Sequence, residues 1–168
     1  MQLDEFYGYK NLLMKELCSN EQVVKLVTGS QDAAVPNHGL PYTQVYPFEF
    51  VPETVGEGKT YICFDIDILS VPNKTYYIPV LYIWIFTHKS LLRMPDGSGC
   101  LLDRLSAEVN QMLNGSRRYG LGEFRLDNTS RFSPVTDYLG RELTYYGVDL
   151  NRPKGYNKFP TNRKEEQR

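Results

Sequence analysis

The sequence predicts an α+β fold, an antiparallel sheet with helices packed on one face. Two observations lead there. Segments near the start and after residue 100 carry apolar residues at helical spacing, while the stretch between them alternates or runs apolar as strands do. The 168 residues show no internal repeat and no second hydrophobic core, and that length suits one domain. The predicted organisation is one domain over 1–151, with a long extended arm inside it, followed by an extended basic C-terminal tail over 152–168.

The elements follow in chain order. Leu3, Phe6, Leu13, Met14 and Leu17 recur at helical spacing and predict an amphipathic helix from about Leu3 to Cys18. Ser19 or Asn20 is the expected N-cap of a second, short helix, with Gln22 completing a capping box from Ser19. Val23, Val24 and Val27 give that helix an apolar side, and Gly29 is placed to end it. From Ser30 to Gly58 periodicity disappears. Pro36, Gly39, Pro41, Pro47 and Pro52 punctuate the segment, yet Tyr42, Val45, Tyr46, Phe48, Phe50 and Val51 make it adhesive. So long a loop inside a compact domain is usually functional, and aromatic content argues against plain disorder. It is expected to be an arm or strand pair packed on a neighbouring subunit.

Lys59 to Ser70 alternates, with Ile62, Phe64, Ile66 and Ile68 on one face and Tyr61, Cys63, Asp65 and Asp67 on the other. After a turn at Val71-Pro72-Asn73-Lys74, Thr75 to His88 is apolar on both faces and therefore a central strand, paired in a hairpin with the one before it. Pro95-Asp96-Gly97 marks a turn. Leu101, Leu102, Leu105, Val109, Met112 and Leu113 then give the strongest helical pattern in the chain, ended at Gly115. Glu123 to Asp127 reads as a short strand and Gly140 to Leu150 as another.

Composition narrows the function classes. A formal net charge of -1 supplies no global attraction to nucleic acid or an anionic membrane. The longest apolar run, Tyr76 to Phe86, is about half of what a membrane helix needs and contains Pro79. The opening residues, without a basic start and apolar run, do not read as a secretory leader. Three scattered cysteines, Cys18, Cys63 and Cys100, form neither a disulfide framework nor a zinc motif, and a reducing cytoplasm is the expected place of synthesis. Tyrosine is abundant, with 13 residues, and it joins a large apolar ring to a polar tip, as interfaces favour.

Candidate chemistry is sparse. Asp65 and Asp67 point the same way from a strand, and with Asp103 and His88 they could hold a divalent metal in a nuclease. The alternation of the strand explains both carboxylates without a metal, so no metal, cofactor or catalytic residue is assigned. Asp103 in the first turn of its helix complements the helix dipole, and Cys100 just before it lacks an evident activating base. Gly115 to Gly122 has the glycines and arginines of a phosphate loop but follows a helix instead of preceding one. Arg117 and Arg118 there could meet a nucleic-acid backbone if they line a pore. The tail counts six basic residues against Glu165 and Glu166, with Tyr156 and Phe159 among them as potential anchors.

Taken together, TQVYPFEFVPETV, YICFDIDIL, YYIPVLYIWIFTHK, CLLDRLSAEVNQMLNG, YGLGEFRL and GRELTYYGVDLN follow one another in an order and texture that resembles the neck proteins of tailed bacteriophages, the tail-terminator (tail-completion) group in particular. The resemblance spans about Glu21 to Asn151 and rests on element order, not on a diagnostic motif. It implies a non-enzymatic virion subunit, assembled in the host cytoplasm, that forms a homo-oligomeric ring, usually hexameric, at the head-tail junction. Such a ring caps the tail tube, meets a head connector or stopper protein, and lets double-stranded DNA pass through its lumen. The head-closure (stopper) proteins of the same neck are the neighbouring reading. On either, the expected subunit or partner contacts are Tyr42, Tyr46, Phe48, Phe50, Asp65, Asp67, Tyr156 and Phe159, with Arg117 and Arg118 towards the lumen and no membrane partner.

Overall fold

The structure, a computed structural model, describes residues 3–30, 39–53, 58–70, 77–119 and 122–148. Its elements are α1 (Leu3–Ser19), α2 (Glu21–Thr28), β1 (Val45–Tyr46), β2 (Thr60–Ser70), β3 (Tyr77–His88), a 3-10 turn (Lys89–Leu91), α3 (Leu101–Leu113), β4 (Glu123–Phe132) and β5 (Tyr138–Val148). The strands lie in the order β1-β2-β3-β5-β4. Every pairing is antiparallel except that of β1 with β2. The fold is therefore α+β with a mostly antiparallel sheet. The one parallel pair is at the edge, where the long connection between Tyr46 and Thr60 lets the arm run beside β2 in the same direction.

Local signals set the helix ends. Asn20 caps α2, its Oδ1 accepting from the backbone N–H of Gln22 at 3.0 Å and of Val23 at 3.1 Å. The Ser19–Gln22 capping box does not form, because Ser19 is still the last residue of α1 and its hydroxyl donates to the Glu16 carbonyl. Gly29 ends α2 at φ +68°, donating its N–H to the Lys25 carbonyl. Past α3, Asn114 is the C-cap and Gly115 follows at φ +81°, its N–H bonded to the Phe124 carbonyl of β4.

β4 runs to Phe132, five residues beyond the expected end at Asp127. The register shifts between Leu126 and Asn128, and Asp127 to Arg131 are exposed on both faces, so no alternation marks them as a strand. β5 likewise begins earlier than expected, at Tyr138.

The period-two pattern divides the sheet into two faces. Ile62, Phe64 and Ile66 of β2 stand beside Ile85, Ile83 and Leu81 of β3, and Ile83 and Leu81 beside Leu143 and Tyr145 of β5. All are buried, in one cluster with Leu13 and Leu17 of α1, Val23 and Val27 of α2, and Leu105, Val109 and Leu113 of α3. The three helices thus cover this face. Each such side chain contributes about 1.5–3 kcal/mol on leaving water. Thr60 and Thr87 carry buried hydroxyls on this side and bond each other at 2.8 Å.

Candidate interaction surface

The face turned away from the helices holds most of the residues singled out in the sequence, and its two ends differ. At the His88 end an aromatic cluster closes it. Tyr61 and Cys63 of β2, Phe86 of β3 and Tyr138 of β5 are buried together, with Phe132 and Val135 packed at their side. Tyr46 and Phe50 of the arm cover them, their rings stacked with centroids 4.1 Å apart and 7° between planes. Phe50 continues to Tyr61 at 5.4 Å, Tyr61 to Phe86 at 5.2 Å, and His88 meets Tyr138 edge-on at 5.3 Å. Gly140 is required here, since a Cβ would lie 2.5 Å from Phe132 Cε1.

Polar ties hold the arm down. Gln44 Nε2 donates to the carbonyls of Val27 at 3.1 Å and Thr60 at 2.9 Å, linking the arm to α2 and β2. Lys10 Nζ donates to the Pro47 carbonyl at 3.2 Å. Burial shows in the titrating groups beneath: it pushes the Tyr61 phenol up to about 12, helped by the nearby Tyr138. Burial likewise pushes the Cys63 thiol up to about 12, against a hydrogen bond from the Phe50 backbone that favours the thiolate. Tyr46 and Phe50 therefore pack on the chain's own sheet, because β1 pairs with β2 and carries them over the aromatic end. Tyr42 and Phe48 stay outside, 61% and 44% exposed, with Val51 beside them in sequence at 54%. Tyr42 also has φ +60°, the one non-glycine residue in the left-handed region among the described residues, held by its N–H to the Val45 carbonyl.

At the Val80 end no aromatic layer like that of the arm is found over the same face among the described residues. Asp65 and Asp67 of β2 stand beside Tyr82 and Val80 of β3, which stand beside Thr144 and Tyr146 of β5. Tyr82 and Trp84 are half-buried with nearly parallel rings 5.8 Å apart. The Trp84 indole N–H donates to Glu142 Oε2 at 3.0 Å, and the Thr144 hydroxyl donates to Glu142 Oε1 at 3.3 Å. Asp65 pairs with Lys10 and accepts the Ile66 backbone N–H at 2.7 Å, on the side of β2 that β1 no longer covers. Asp67 is exposed, with no ion-pair partner among the described residues. Desolvation raises the Tyr82 phenol, followed by the charge of Asp67. Sequence reasoning found the two aspartates on this face but missed Tyr82, Trp84, Glu142 and Tyr146, whose grouping depends on β5 lying beside β3.

The four residues of the nuclease alternative are not brought together. Asp103 pairs with Arg141 on the helix side of the sheet, whereas His88 and Asp65 lie on the opposite face. His88 Nδ1 instead takes part in capping the Lys89–Leu91 turn, bonding the Ser90 hydroxyl at 2.7 Å and accepting the Ser90 N–H. Among the described residues no cluster of His, Cys, Asp and Glu could hold a metal ion. Cys100 is the N-cap of α3 without a side-chain capping bond, and Cys18 is buried, which pushes its thiol up to about 11.

Arg117 and Arg118 are exposed but paired. Arg117 meets Glu123 at 3.2 Å and Arg118 meets Glu16 at 3.7 Å. Desolvation pushes the Glu123 carboxyl up, but the hydrogen bonds and charges of Arg125 and Arg117 outweigh it and hold the group below the usual carboxylate range. A groove of about 510 Å³ between α1, α2 and α3 includes Glu16, Asn20, Glu108, Asn114 and Arg118. Several of its polar groups are committed: Asn20 to its cap, Glu108 to Arg104, Asn114 to the Leu126 N–H and Glu16 to Arg118. No described helix is long and apolar enough to cross a membrane. Tyr156 and Phe159 lie outside the described residues, as do His38 and the Val71–Lys74 turn.

The family model described as YomW matches residues 14–146, from within α1 nearly to the end of β5. No curated protein matches. Among solved structures the chain is similar to one from "Virion of native gene transfer agent (GTA) particle", at 18% identity and a TM-score of 0.36 over 74% of this chain and 89% of that one.

Proposed function

We propose that this chain, which belongs to the YomW family, is a structural virion protein of the tailed-phage neck. In this reading it is a tail-terminator subunit that forms a six-fold ring at the head-tail junction, caps the tail tube, meets the head connector and lets double-stranded DNA pass. The observation that carries the reading is the exposed rim of the arm. Tyr42, Phe48 and Val51 leave large apolar side chains in water although Tyr46 and Phe50 of the same segment are anchored firmly to the sheet. A rigid base presenting aromatic side chains suits contact with another protein surface. The left-handed backbone of Tyr42 costs about 1–2 kcal/mol and persists because the Val45 carbonyl holds its N–H. The pairing of Arg117 and Arg118 with carboxylates also suits a surface that passes DNA without retaining it.

Sedimentation and electron microscopy of the full chain test this. A ring is expected, and Tyr42→Ser with Phe48→Ser should shift it towards monomers without loss of fold. Asp65→Asn with Asp67→Asn should leave assembly intact. A chain that stays strictly monomeric and joins neither tail tubes nor connectors would overturn the reading.

A further inference from the structure

β4 is the last strand of the sheet and pairs on one side, with β5. In its first half the backbone groups turned away from β5 are occupied. The Phe124 N–H donates to the Ser116 carbonyl at 3.0 Å, the Phe124 carbonyl accepts from the Gly115 N–H at 2.7 Å, and the Leu126 N–H donates to Asn114 Oδ1 at 3.0 Å. The register shift between Leu126 and Asn128 then moves this outward role by one residue. Arg125 and Asn128 stand opposite Tyr146 and Thr144, which turn the same way on β5. Asn128 and Ser130 therefore face β5, and Thr129 and Arg131 turn their N–H and C=O groups outward. No described residue hydrogen-bonds those outward groups. Residues 127–131 are exposed, and the chain around them is described from 122 to 148. An edge of that kind is a template for another strand.

We propose that this edge pairs antiparallel with the same edge of a second copy, about a two-fold axis at Thr129. The occupant follows from the sequence, because Asp127-Asn128-Thr129-Ser130-Arg131 is complementary to its own reverse. The pairing sets Asp127 across from Arg131 of the other copy at both ends, Asn128 across from Ser130, and Thr129 across from its counterpart. Opposite charges and small polar side chains then meet in cross-strand positions. Within one chain the two charges are unmatched. Neither Asp127 nor Arg131 has an ion-pair partner among the described residues, whereas Glu123 is paired with Arg125 and Asp103 with Arg141. Arg131 stands opposite Arg141 in the sheet, so its cross-strand neighbour carries the same charge. Proline and lysine, which natural edges use against pairing, are absent from β4, and its bulge lies before the segment. The contact is isologous, unlike the head-to-tail contacts around a closed ring, so it goes beyond the neck reading and does not rest on it.

One short strand pair is a small contact, so the dimer should be weak and form at protein concentrations on the order of 0.1 mM. Sedimentation velocity of the full chain measures it, in the wild type and in the Tyr42→Ser, Phe48→Ser variant, whose changes lie on the arm and away from β4. Arg131→Asp sets carboxylate against carboxylate at both ends and should raise the dissociation constant roughly tenfold. Asp127→Arg should do the same. The two substitutions together restore opposite charges and should return the constant to within about two-fold of its starting value. Thr129→Pro removes an outward N–H while leaving the β4–β5 ladder intact, and should abolish the dimer. Circular dichroism should show every variant folded, since residues 127–131 are exposed. A chain without dimers at that concentration overturns the proposal. So does a dimer that survives Thr129→Pro, or a charge swap that recovers nothing. A dimer without a ring would count against the neck reading alone, and a ring without the dimer against this proposal alone.

Discussion

The two ends of the outer sheet face are built from the same alternation of the same strands, yet among the described residues the arm covers one and not the other. At the His88 end, Tyr61 and Phe86 have a second aromatic layer over them, contributed by the arm. At the Val80 end, Tyr82 and Trp84 have a neighbouring strand on either side and acidic groups around them, and among the described residues the arm does not reach over them. Strand periodicity decides which face a residue occupies; what lies on that face is decided by segments distant in sequence. The layer that the arm adds at the His88 end contributes stability that strand pairing alone does not supply.

Deleting one ring from each end breaks the comparison most sharply. Phe86 is 1% exposed, so Phe86→Ala should cost about 3–5 kcal/mol through lost burial and the cavity it leaves. Tyr82→Ala, at a half-buried position, should cost below about 1.5 kcal/mol. Chemical denaturation of both variants measures the gap. Similar losses would mean that the Val80 end is as closely packed as the His88 end.

The next largest effect comes from overfilling. Gly140→Ala would drive a methyl group into the Phe132 ring across the strand pair, while Phe132 also meets Phe86 edge-on at 6.0 Å. The expected loss is about 1–3 kcal/mol, read by denaturation, and Gly140→Ala combined with Phe132→Leu should recover part of it.

Much of this architecture was legible in the sequence. The helical periods of α1 and α3, the valines of α2 and the alternation of β2 follow from residue types that act over a few neighbours, and they placed Asp65 and Asp67 on the face away from the helices. The central position of β3 followed from its apolar residues on both faces. Sequence could not show that Tyr46 and Phe50 fold back onto Tyr61, because two residues of parallel pairing at an edge leave no periodic signature. Nor could it extend β4 through Asp127 to Arg131, whose side chains are exposed on both faces. Trp84 and Glu142 meet across a separation of 58 residues, which only the strand order brings together.

A pH titration sharpens the same contrast with a smaller effect. The Tyr61 phenol is raised from its ordinary value near 10 to about 12, so the folded state holds this proton more tightly than the unfolded one. Its contribution to stability is complete below pH 10 and is lost as pH rises through about 12. Phenolate absorbance should therefore show a class of tyrosines that ionise late, together with alkaline unfolding. Tyr61→Phe should delay that unfolding, and Tyr82→Phe should change it less.

The smallest expected effect lies at the boundary between the two ends, where Lys10 of α1 reaches both the Pro47 carbonyl of the arm and Asp65 on β2. Both partners are partly exposed, so solvent screens the ion pair and its net value should fall within about 0–1 kcal/mol. Asp65 has a second task that charge does not measure: its Oδ1 accepts the Ile66 N–H on the side of β2 beyond its pairing with β1. Asp65→Asn keeps an oxygen for that N–H and loses only the charge, while Asp65→Ala loses both. Denaturation at low and high salt separates the two contributions. The loss in Asp65→Asn should shrink as salt rises, whereas the additional loss in Asp65→Ala should persist. If both losses vanish in salt, the Ile66 N–H is satisfied equally well by water and the carboxylate acts through charge alone.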